Sequence, residues 1–380
     1  MDAFIVDYAR SPFHFARKGK LATLRPDDLA AQVVRALVTR QPFEAAQIED
    51  VLLGCAYPEA EQGDNLARIV SFLAGLPHTV SGMTMNRFCG SSMSAIHVAA
   101  GSIATGAGDA FLCVGVESMS RVPQGGLNPS HNPALQSGFP QAYTPMGITA
   151  ENLAKSHRIT REQQDAFAVR SQRKAAAAFE RGAFQGEVVP VKLPDGSIVD
   201  SDGCLRPTTS MEGLAGLKPA FLPEGEGTVT AGTSSPLTDG ATAVLVASEA
   251  FVRRHELKPL AQIRAIATAG VPPEIMGIGP VPATRKALAR AGLTLGDIEL
   301  VEINEAFAAQ ALACLHDLEL DEDRVNLDGG ALAIGHPLGA TGARITGKAA
   351  QLLQRTHQRY ALATQCIGGG QGIATILERV

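Results

Sequence analysis

Two residues near opposite ends of the chain, Cys89 and His336, stand in sequences that could support nucleophilic catalysis. Cys89 lies in the segment Asn-Arg-Phe-Cys-Gly-Ser-Ser, directly before a stretch rich in Ala, Gly and Ser that predicts a helix. The positive end of a helix and its unpaired N–H groups favour the thiolate, which is the nucleophilic form of cysteine. A lone cysteine is more often a small buried residue that packs a turn. Cys89 therefore becomes a candidate nucleophile only together with a base.

His336 is the candidate base, 247 residues after Cys89. It stands in the segment Gly-His-Pro-Leu-Gly-Ala-Thr-Gly-Ala-Arg, which predicts a glycine-rich loop that opens a helix. A Cys–His pair at hydrogen-bonding distance is a standard way to activate a thiol. The alternative is a structural histidine satisfied within a turn, and we adopt that interpretation for His97, His255 and His357.

Cys366 and Asn304 each follow a predicted strand, at the end where open α/β sheets build their sites. The glycine run after Cys366 exposes N–H groups that could hold an oxyanion, but a plain tight hairpin is an equally good interpretation. Asn304 could hold a water or a carbonyl, or could cap the next helix. The segment Thr228–Ser235 could line a ligand with hydroxyl groups, although a structural turn is the favoured interpretation.

A faint internal repeat organises the chain and predicts where these residues meet. Residues 48–54 resemble residues 298–304, and residues 110–116 resemble residues 361–367, both at an offset of about 250 residues. Each half has short apolar runs that are typical of a sheet covered on both faces. His336 follows Cys89 by nearly the same offset, so a pseudo-two-fold axis would bring both loops to the same end of two stacked α/β halves.

The first half of the repeat contains an insertion of about 118 residues, because residues 240–246 resemble residues 372–377 at a much shorter offset. We therefore predict an N-terminal half at residues 1–118 plus 239–258, an inserted loop domain at residues 119–238 that covers the active-site end, and a C-terminal half at residues 259–380.

Within the insertion, Thr160 and Gln163 form the sequence pattern of a capping box, which predicts a helix that ends near Arg181. Residues 188–193 and 198–200 flank Pro-Asp-Gly and predict a hairpin. Residues 121–145 are rich in Gly, Pro, Ser and Asn, and predict a loop.

The composition excludes several classes of protein. The chain of 380 residues has a formal charge of −5 and an aromatic content of 5% without Trp, unlike a nucleic-acid-binding protein. The first residues lack the pattern of a secretion signal, and no apolar run is long enough to span a membrane, so we expect a cytoplasmic protein. The six cysteines are scattered and predict free thiols rather than disulfides or a metal site.

The four motifs together resemble the thiolase family, in the same order and over almost the whole chain. They are Asn-Arg-Phe-Cys-Gly-Ser-Ser, Asn-Glu-Ala-Phe-Ala-Ala-Gln, Gly-Gly-Ala-Leu-Ala-Ile-Gly-His-Pro-Leu-Gly and Cys-Ile-Gly-Gly-Gly-Gln-Gly. The resemblance implies an α/β fold with two repeated halves stacked as α/β/α/β/α layers, and a 3-ketoacyl-CoA thiolase of fatty-acid β-oxidation. Coenzyme A would be a substrate, with no tightly bound cofactor and no metal.

The resemblance also implies roles for the motif residues. Cys89 would carry the acyl group, and His336 would lower the pKa of its thiol. Cys366 would be the acid and base at the α-carbon, and Asn304, through a water, would stabilise the enolate together with His336. The N–H groups of Cys89 and Gly368 would hold the oxyanion at the keto carbon.

The same resemblance implies contacts with the substrate. Ser235 would contact the pantetheine arm, Lys218 would lie by the nucleotide, and Met146 and Met276 would border the acyl pocket. Two positions depart from the family pattern: Asp328 stands where many relatives have Asn, and Pro145 stands where short-chain biosynthetic members tend to have His. The second departure favours the degradative branch, which resembles the thiolase subunit of bacterial fatty-acid oxidation complexes.

Three alternatives remain at this point. They are an acetoacetyl-CoA thiolase that runs the Claisen condensation, a β-ketoacyl synthase-like condensing enzyme, and an inert acyl-binding homologue on the same fold. Cys366 argues against the synthase, which would need a second histidine. The family implies a homodimer, with a dimer of dimers or a place in a fatty-acid oxidation complex as further arrangements.

Overall fold

The computed structural model describes residues 2–380. Its strands are β1 (Ala3–Arg10), β2 (His14–Phe15), β3 (Asp50–Gly54), β4 (Ser81–Met85), β5 (Ala110–Ser118), β6 (Val191–Lys192), β7 (Ile198–Val199), β8 (Thr238–Ser248), β9 (Ala261–Gly270), β10 (Leu300–Ile303), β11 (Tyr360–Ile367) and β12 (Gln371–Glu378). Its α-helices are α1 (Pro26–Thr39), α2 (Leu66–Leu73), α3 (Ser91–Ala104), α4 (Pro133–Gly138), α5 (Met146–Ser156), α6 (Arg161–Glu180), α7 (Met211–Ala215), α8 (Glu249–Arg254), α9 (Pro280–Ala291), α10 (Ala308–Asp317), α11 (Ala331–Ile334) and α12 (Leu338–Thr356).

The repeat is visible in the order of the strands, which form two sheets that meet at a short ladder. From that ladder outward the first sheet runs β1, β8, β5, β3, β4, and the second runs β9, β12, β11, β10. Only Phe4 and Ile5 of β1 pair with β9. The inner strands β5 and β8 are buried at every residue, as their continuous apolar sequence predicts.

Five layers result from the way in which helices cover the two sheets. Helices α1 and α2 cover the outer face of the first sheet, and α9 and α10 cover the outer face of the second. Helices α3 and α12 lie together between the sheets, where their apolar residues form one cluster with both inner faces. The predicted stack of two α/β halves is therefore confirmed.

Helix α12 is buried on nearly all sides, which explains its unusual content of small residues. A Cβ atom on Gly339 would lie 2.6 Å from the Val116 carbonyl oxygen and 2.8 Å from the Cα of Cys55. Only glycine allows the start of the helix to approach the ends of β3 and β5 this closely.

The segment between β5 and β8 contains α4 to α7 and the β6–β7 hairpin. The capping box is confirmed: the Gln163 N–H donates to the Thr160 hydroxyl, and the Thr160 N–H donates to the Gln163 side chain. The prediction of a loop over residues 121–145 is wrong in part, because α4 lies within it. Asn132 caps that helix by accepting N–H groups of Ala134 and Leu135.

A buried network of charges ties this segment to both halves. Glu187 accepts from Arg10 of β1 and from Lys348 of α12, each at 2.8 Å. Lys348 also contacts Asp328 at 2.7 Å, and Arg355 contacts the same carboxylate at 2.7 Å. Burial alone would raise the pKa of Asp328, but the hydrogen bonds and charges of Arg355 and Lys348 lower that pKa to about 2.

Residues 2–380 contain neither a membrane-spanning helix nor a disulfide bond. No helix there has the length and apolar character needed to cross a membrane. All six cysteines are free.

Candidate active site

Cys89 lies in a strained turn that precedes α3. The turn is a single 3-10 turn at Phe88–Gly90, and Phe88 has a φ of 44°, which is rare for a residue with a side chain. The hydroxyl of Ser91 stabilises the turn, because it accepts the N–H of Arg87 at 2.9 Å and donates to the Phe88 carbonyl at 2.6 Å. The sequence was right to place Cys89 immediately before a helix.

In the structure, desolvation outweighs the effect of the helix start and of the N–H groups that were predicted to favour the thiolate. Burial raises the pKa of the Cys89 thiol to about 12, and the charge of Glu117 acts in the same direction. The backbone N–H groups of Gly368 and of Cys89 itself point at the sulfur and oppose the rise. The thiol is therefore protonated at neutral pH, and a base must remove its proton before it can react.

His336 is held in a single tautomer. Its Nδ1 lies 2.6 Å from the hydroxyl of Thr341, and that hydroxyl donates its own hydrogen to the Pro337 carbonyl at 2.9 Å. The Thr341 hydroxyl can therefore only accept a hydrogen bond from Nδ1 of His336. It follows that Nδ1 carries the proton of the neutral imidazole. Nε2 keeps its lone pair and accepts from the side-chain amide of Asn304 at 3.3 Å.

The charge state of His336 is set by its surroundings. Burial, and then the charge of Arg344, lower the pKa of His336 to about 3, so the imidazole is neutral at physiological pH. A neutral imidazole cannot stabilise a thiolate as a cation would. The predicted role of His336 in lowering the pKa of Cys89 therefore stays a prediction, in which the imidazole acquires its charge only when it accepts the proton of the thiol.

Asn304 lies at the carboxyl end of β10 and is fully buried. Helix α10 begins four residues later with Phe307 at its N-cap, so Asn304 does not cap that helix. Its side-chain nitrogen faces His336, and its side-chain oxygen has no protein partner within residues 2–380. That oxygen is available to a water or to a substrate group, as buried polar atoms require.

Cys366 is the penultimate residue of β11, on the turn side of the β11–β12 hairpin. Burial raises the pKa of its thiol, and the charges of Cys89 and Cys314 raise it further. The preceding residue, Gln365, donates its side-chain N–H to the Cys89 carbonyl, which fastens the end of β11 to the Cys89 turn. The glycine run is thus a hairpin, and the same hairpin directs an N–H group, that of Gly368, at the Cys89 sulfur.

The residues expected to border the acyl group and those expected to hold the nucleotide differ in their placement. Met146 and Met276 pack in one apolar cluster with Cys366. The backbone N–H of Ser235 donates to the Ala306 carbonyl at 2.9 Å, two residues after Asn304. The side chain of Lys218, by contrast, is 82% exposed, and it forms an ion pair with Glu224 at 3.5 Å.

Two of the remaining predictions concern structural roles, and both are confirmed. In the segment Thr228–Ser235, the side chains of Thr230, Thr233 and Ser234 bond within the segment, so it is a structural turn. His97 lies 2.8 Å from the Thr375 hydroxyl through Nε2, as a structural histidine does.

Sequence reasoning missed two residues next to the site, Thr341 and Glu117. Thr341 follows His336 by five residues, in the first turn of α12, and its hydroxyl could have been recognised as a partner for the imidazole. Glu117 is an acid at the end of a buried apolar strand, which is a conspicuous place for a charge.

Comparison with known proteins identifies the family. The sequence matches the description "Thiolase, N-terminal domain" over residues 3–250 and "Thiolase, C-terminal domain" over residues 257–379. The chain therefore belongs to the thiolase family.

Curated relatives match the whole chain. It is 50% identical over 387 residues to a 3-ketoacyl-CoA thiolase of Saccharophagus degradans, covering 100% of this chain and 98% of the relative. It is 49% identical over 384 residues to a 3-ketoacyl-CoA thiolase of Pseudoalteromonas translucida, covering 99% of this chain and 98% of the relative. A 3-ketoacyl-CoA thiolase of Alcanivorax borkumensis is 50% identical over 388 residues, and the match covers 100% of this chain and 98% of the relative.

Proposed function

We propose that this protein is a 3-ketoacyl-CoA thiolase that cleaves its substrate with coenzyme A into acetyl-CoA and a shortened acyl-CoA. The observation that carries the proposal is the start of α12, where Leu338 packs in one cluster with Cys89 and where His336, two residues earlier, lies beside Asn304. The Gly368 N–H points at the Cys89 sulfur. The full-length similarity to curated proteins of that name supports it.

In the first step, Nε2 of His336 takes the proton of the Cys89 thiol, and the sulfur attacks the keto carbon. The keto oxygen gains negative charge as the carbon becomes tetrahedral. The N–H groups of Cys89 and Gly368 stabilise that charge, because both already point at the sulfur to which the carbon becomes bonded. Donors that are fixed in advance stabilise a developing charge most effectively.

In the second step, the bond between the α- and β-carbons breaks, which leaves an acyl group on Cys89 and the enolate of acetyl-CoA. His336, now protonated, and Asn304, through a water, stabilise the thioester oxygen. The Cys366 thiol gives its proton to the α-carbon. Coenzyme A then loses its thiol proton to Cys366 and takes the acyl group from Cys89. His336 returns its proton to the Cys89 sulfur, which restores both cysteines and the neutral imidazole.

Coenzyme A acts here as a substrate, and we propose no tightly bound cofactor and no metal. Ser235 contacts the pantetheine arm, and Met146 and Met276 border the acyl chain beside Cys366. Lys218 lies by the nucleotide, where its exposure suits a phosphate contact at the surface.

We assign the protein to fatty-acid degradation, in the cytoplasm. Pro145 stands immediately before Met146, where short-chain biosynthetic members tend to have His. An acetoacetyl-CoA thiolase is the second candidate function, and Pro145 is the residue that argues against it.

The functional unit is proposed to be a homodimer joined along β4. This strand is the outermost strand of the first sheet, so one of its edges has no neighbouring strand within residues 2–380. Apolar side chains on it and beside it are exposed, with Phe72 at 47%, Met83 at 41% and Val98 at 38%. A second copy that pairs with β4 would cover an edge that otherwise invites aggregation.

Sedimentation of wild type and of Met83→Glu tests the dimer. We expect wild type to sediment as a dimer and Met83→Glu to be largely monomeric. A wild-type protein that remains monomeric at micromolar concentration would exclude this interface.

The activity is tested by CoA-dependent cleavage of 3-ketoacyl-CoAs from four to sixteen carbons, with Cys89→Ala as the control. We expect acetyl-CoA from wild type and a loss of at least about 10⁴-fold in kcat from the variant. If wild type releases no acetyl-CoA at any chain length, the thiolase proposal fails and an acyl-binding function replaces it. Cleavage of acetoacetyl-CoA alone would favour the second candidate.

A second experiment tests the division of roles between the two cysteines. Substrate supplied without free coenzyme A should leave an acyl group on the peptide that contains Cys89, detected by mass spectrometry. Acylation on the peptide that contains Cys366 would reverse the assignment.

A further inference from the structure

Glu117 is a buried carboxylate that has no cation beside it. It ends the apolar part of β5 and is fully buried, and none of the ion pairs within residues 2–380 includes it. Burial raises its pKa, and only hydrogen-bond donors oppose the rise. An unpaired buried charge is costly and needs a compensating reason.

Both oxygens of Glu117 are fully occupied by donors from two different parts of the fold. Oε2 accepts the N–H of Ala56 at 2.8 Å and the N–H of Gly339 at 2.9 Å. Oε1 accepts the N–H of Tyr57 at 3.2 Å and the side-chain amide of Gln62 at 3.1 Å. One carboxylate thus joins the loop after β3 to the first turn of α12.

The donors on the two sides of Glu117 are close in sequence, or bonded, to the two catalytic loops, which are the loops that carry Cys89 and His336. Gly339 lies three residues after His336, with Pro337 between them. Ala56 accepts the side-chain amide of Asn86 at 2.9 Å, and Asn86 lies three residues before Cys89. The side chains of Cys89 and Leu338 pack in one apolar cluster with Ala56.

We propose that Glu117 is a positioning residue, which sets the start of α12, and with it His336, against the Cys89 turn, and which presents a negative charge to the Cys89 thiol. The proposal deepens the proposed thiolase function and rests on it for the role of His336. The titratable groups that face this charge are Cys55, whose sulfur lies 3.6 Å away, Tyr57 and Cys89.

Two substitutions separate the two parts of the role. Glu117→Gln keeps the reach of the side chain but removes its charge, and its amide group faces one pair of N–H donors. Glu117→Asp keeps the charge but is too short to hold both segments. We expect kcat to fall about 10- to 100-fold in each, as for other buried partners of catalytic groups, with KM for coenzyme A changed less than threefold.

Alkylation of Cys89 by iodoacetamide as a function of pH gives the readout that a purely structural role would not move. Loss of the charge in Glu117→Gln should shift the alkylation profile to lower pH by about one unit, a tenfold change in rate at a fixed pH on the rising limb. Glu117→Asp should leave the profile in place. Glu187→Gln, a second buried carboxylate that contacts neither catalytic loop, is the control for lost stability alone.

The proposal is overturned if Glu117→Gln retains kcat within twofold, or if it loses kcat with an alkylation profile that coincides with those of wild type and Glu187→Gln. Alkylation needs no acyl-CoA, so this result is independent of whether the thiolase activity itself is found.

A measurement on wild type covers the case in which the variants do not fold. Hydrogen exchange should show the amides of Ala56, Tyr57 and Gly339 losing protection together as the pH is lowered and Glu117 takes up a proton. Independent loss of protection in the two segments would overturn the proposal.

Discussion

The two ends of the repeat, at Cys89 and at His336, have the same architecture but opposite electrostatics. In each half a strand leads to the start of a buried helix, β5 toward α12 and β11 toward α3. The residues at the ends of these strands, Glu117 and Gly368, are separated by the repeat offset of about 250 residues. Glu117 accepts the N–H groups at the start of α12, whereas Gly368 donates an N–H toward Cys89.

This difference explains how one duplicated scaffold supplies two complementary functions. At the His336 end, an acceptor occupies the backbone donors, and the imidazole is fixed by side chains. At the Cys89 end, the donors remain directed at the reacting sulfur and can stabilise an oxyanion. The five experiments below test whether the two ends differ in this way.

The largest expected effect comes from removal of the base. His336→Ala should lower kcat by about 10³- to 10⁴-fold, because it removes the proposed base for a thiol whose pKa burial raises to about 12. Steady-state cleavage of a 3-ketoacyl-CoA measures it. A loss below tenfold would mean that the base lies elsewhere.

The next effect concerns stability and the tight approach of α12. Gly339→Ala should lower the free energy of unfolding by about 3 kcal/mol, because its Cβ would lie within 2.8 Å of backbone atoms that cannot move aside. Urea unfolding followed by circular dichroism measures it. Equal stability of variant and wild type would show that the two segments are not held in contact.

A smaller loss of kcat is expected when the tautomer of His336 is no longer fixed by Thr341. Thr341→Val removes the acceptor at Nδ1 and should lower kcat about 10- to 100-fold with little change in KM. Thr346→Val, on the same helix, removes a hydroxyl that bonds only to the Gly342 carbonyl and serves as the matched control. Equal kinetics in the two variants would exclude the proposed role of Thr341.

The smallest effect is expected at the Cys89 end. Gly368→Ala keeps the N–H, and its Cβ would lie at ordinary contact distance, 3.6 Å from Phe88 and 3.7 Å from Met146. We expect kcat within about threefold of wild type, which corresponds to about 0.6 kcal/mol. A large loss would show that the shape of this glycine, and not its N–H, is what matters.

The pH dependence of kcat/KM tests the same contrast between the two ends of the repeat. The catalytic form of His336 is neutral, and burial lowers its pKa to about 3, so protonation of His336 should not reduce kcat/KM between pH 5 and pH 7. A loss of activity on the acid side centred near the ordinary pKa of histidine would contradict the buried, neutral imidazole.

The sequence predicts the repeat, the insertion and the four motif residues, because each depends on local pattern and spacing. The desolvation of the half-buried Cys89 thiol could not be predicted in this way. A helix start favours a thiolate, but the packing of Ala56, Met119 and Leu338 around the sulfur outweighs that effect, and those residues are far apart in the chain. Propensity is local, whereas desolvation depends on the whole fold.

The contacts of Glu117 and Asp328 could not be predicted from the sequence for a related reason. The sequence places each acid beside a buried segment but does not say what it meets. Glu117 meets four N–H donors and the Cys55 thiol but no cation within residues 2–380, whereas Asp328 meets Lys348 and Arg355. The charge of Asp328 is thus compensated by the buried Lys348 and the partly exposed Arg355.

The shared middle layer has a consequence for synthesis on the ribosome. The inner face of the first sheet is covered by α3 and also by α12, which begins at Leu338, close to the end of the chain. That apolar face therefore stays incompletely covered until almost the whole polypeptide has emerged, long after its own strands have been made. Such a nascent chain should depend on chaperones that shield apolar surfaces, however stable the finished protein is.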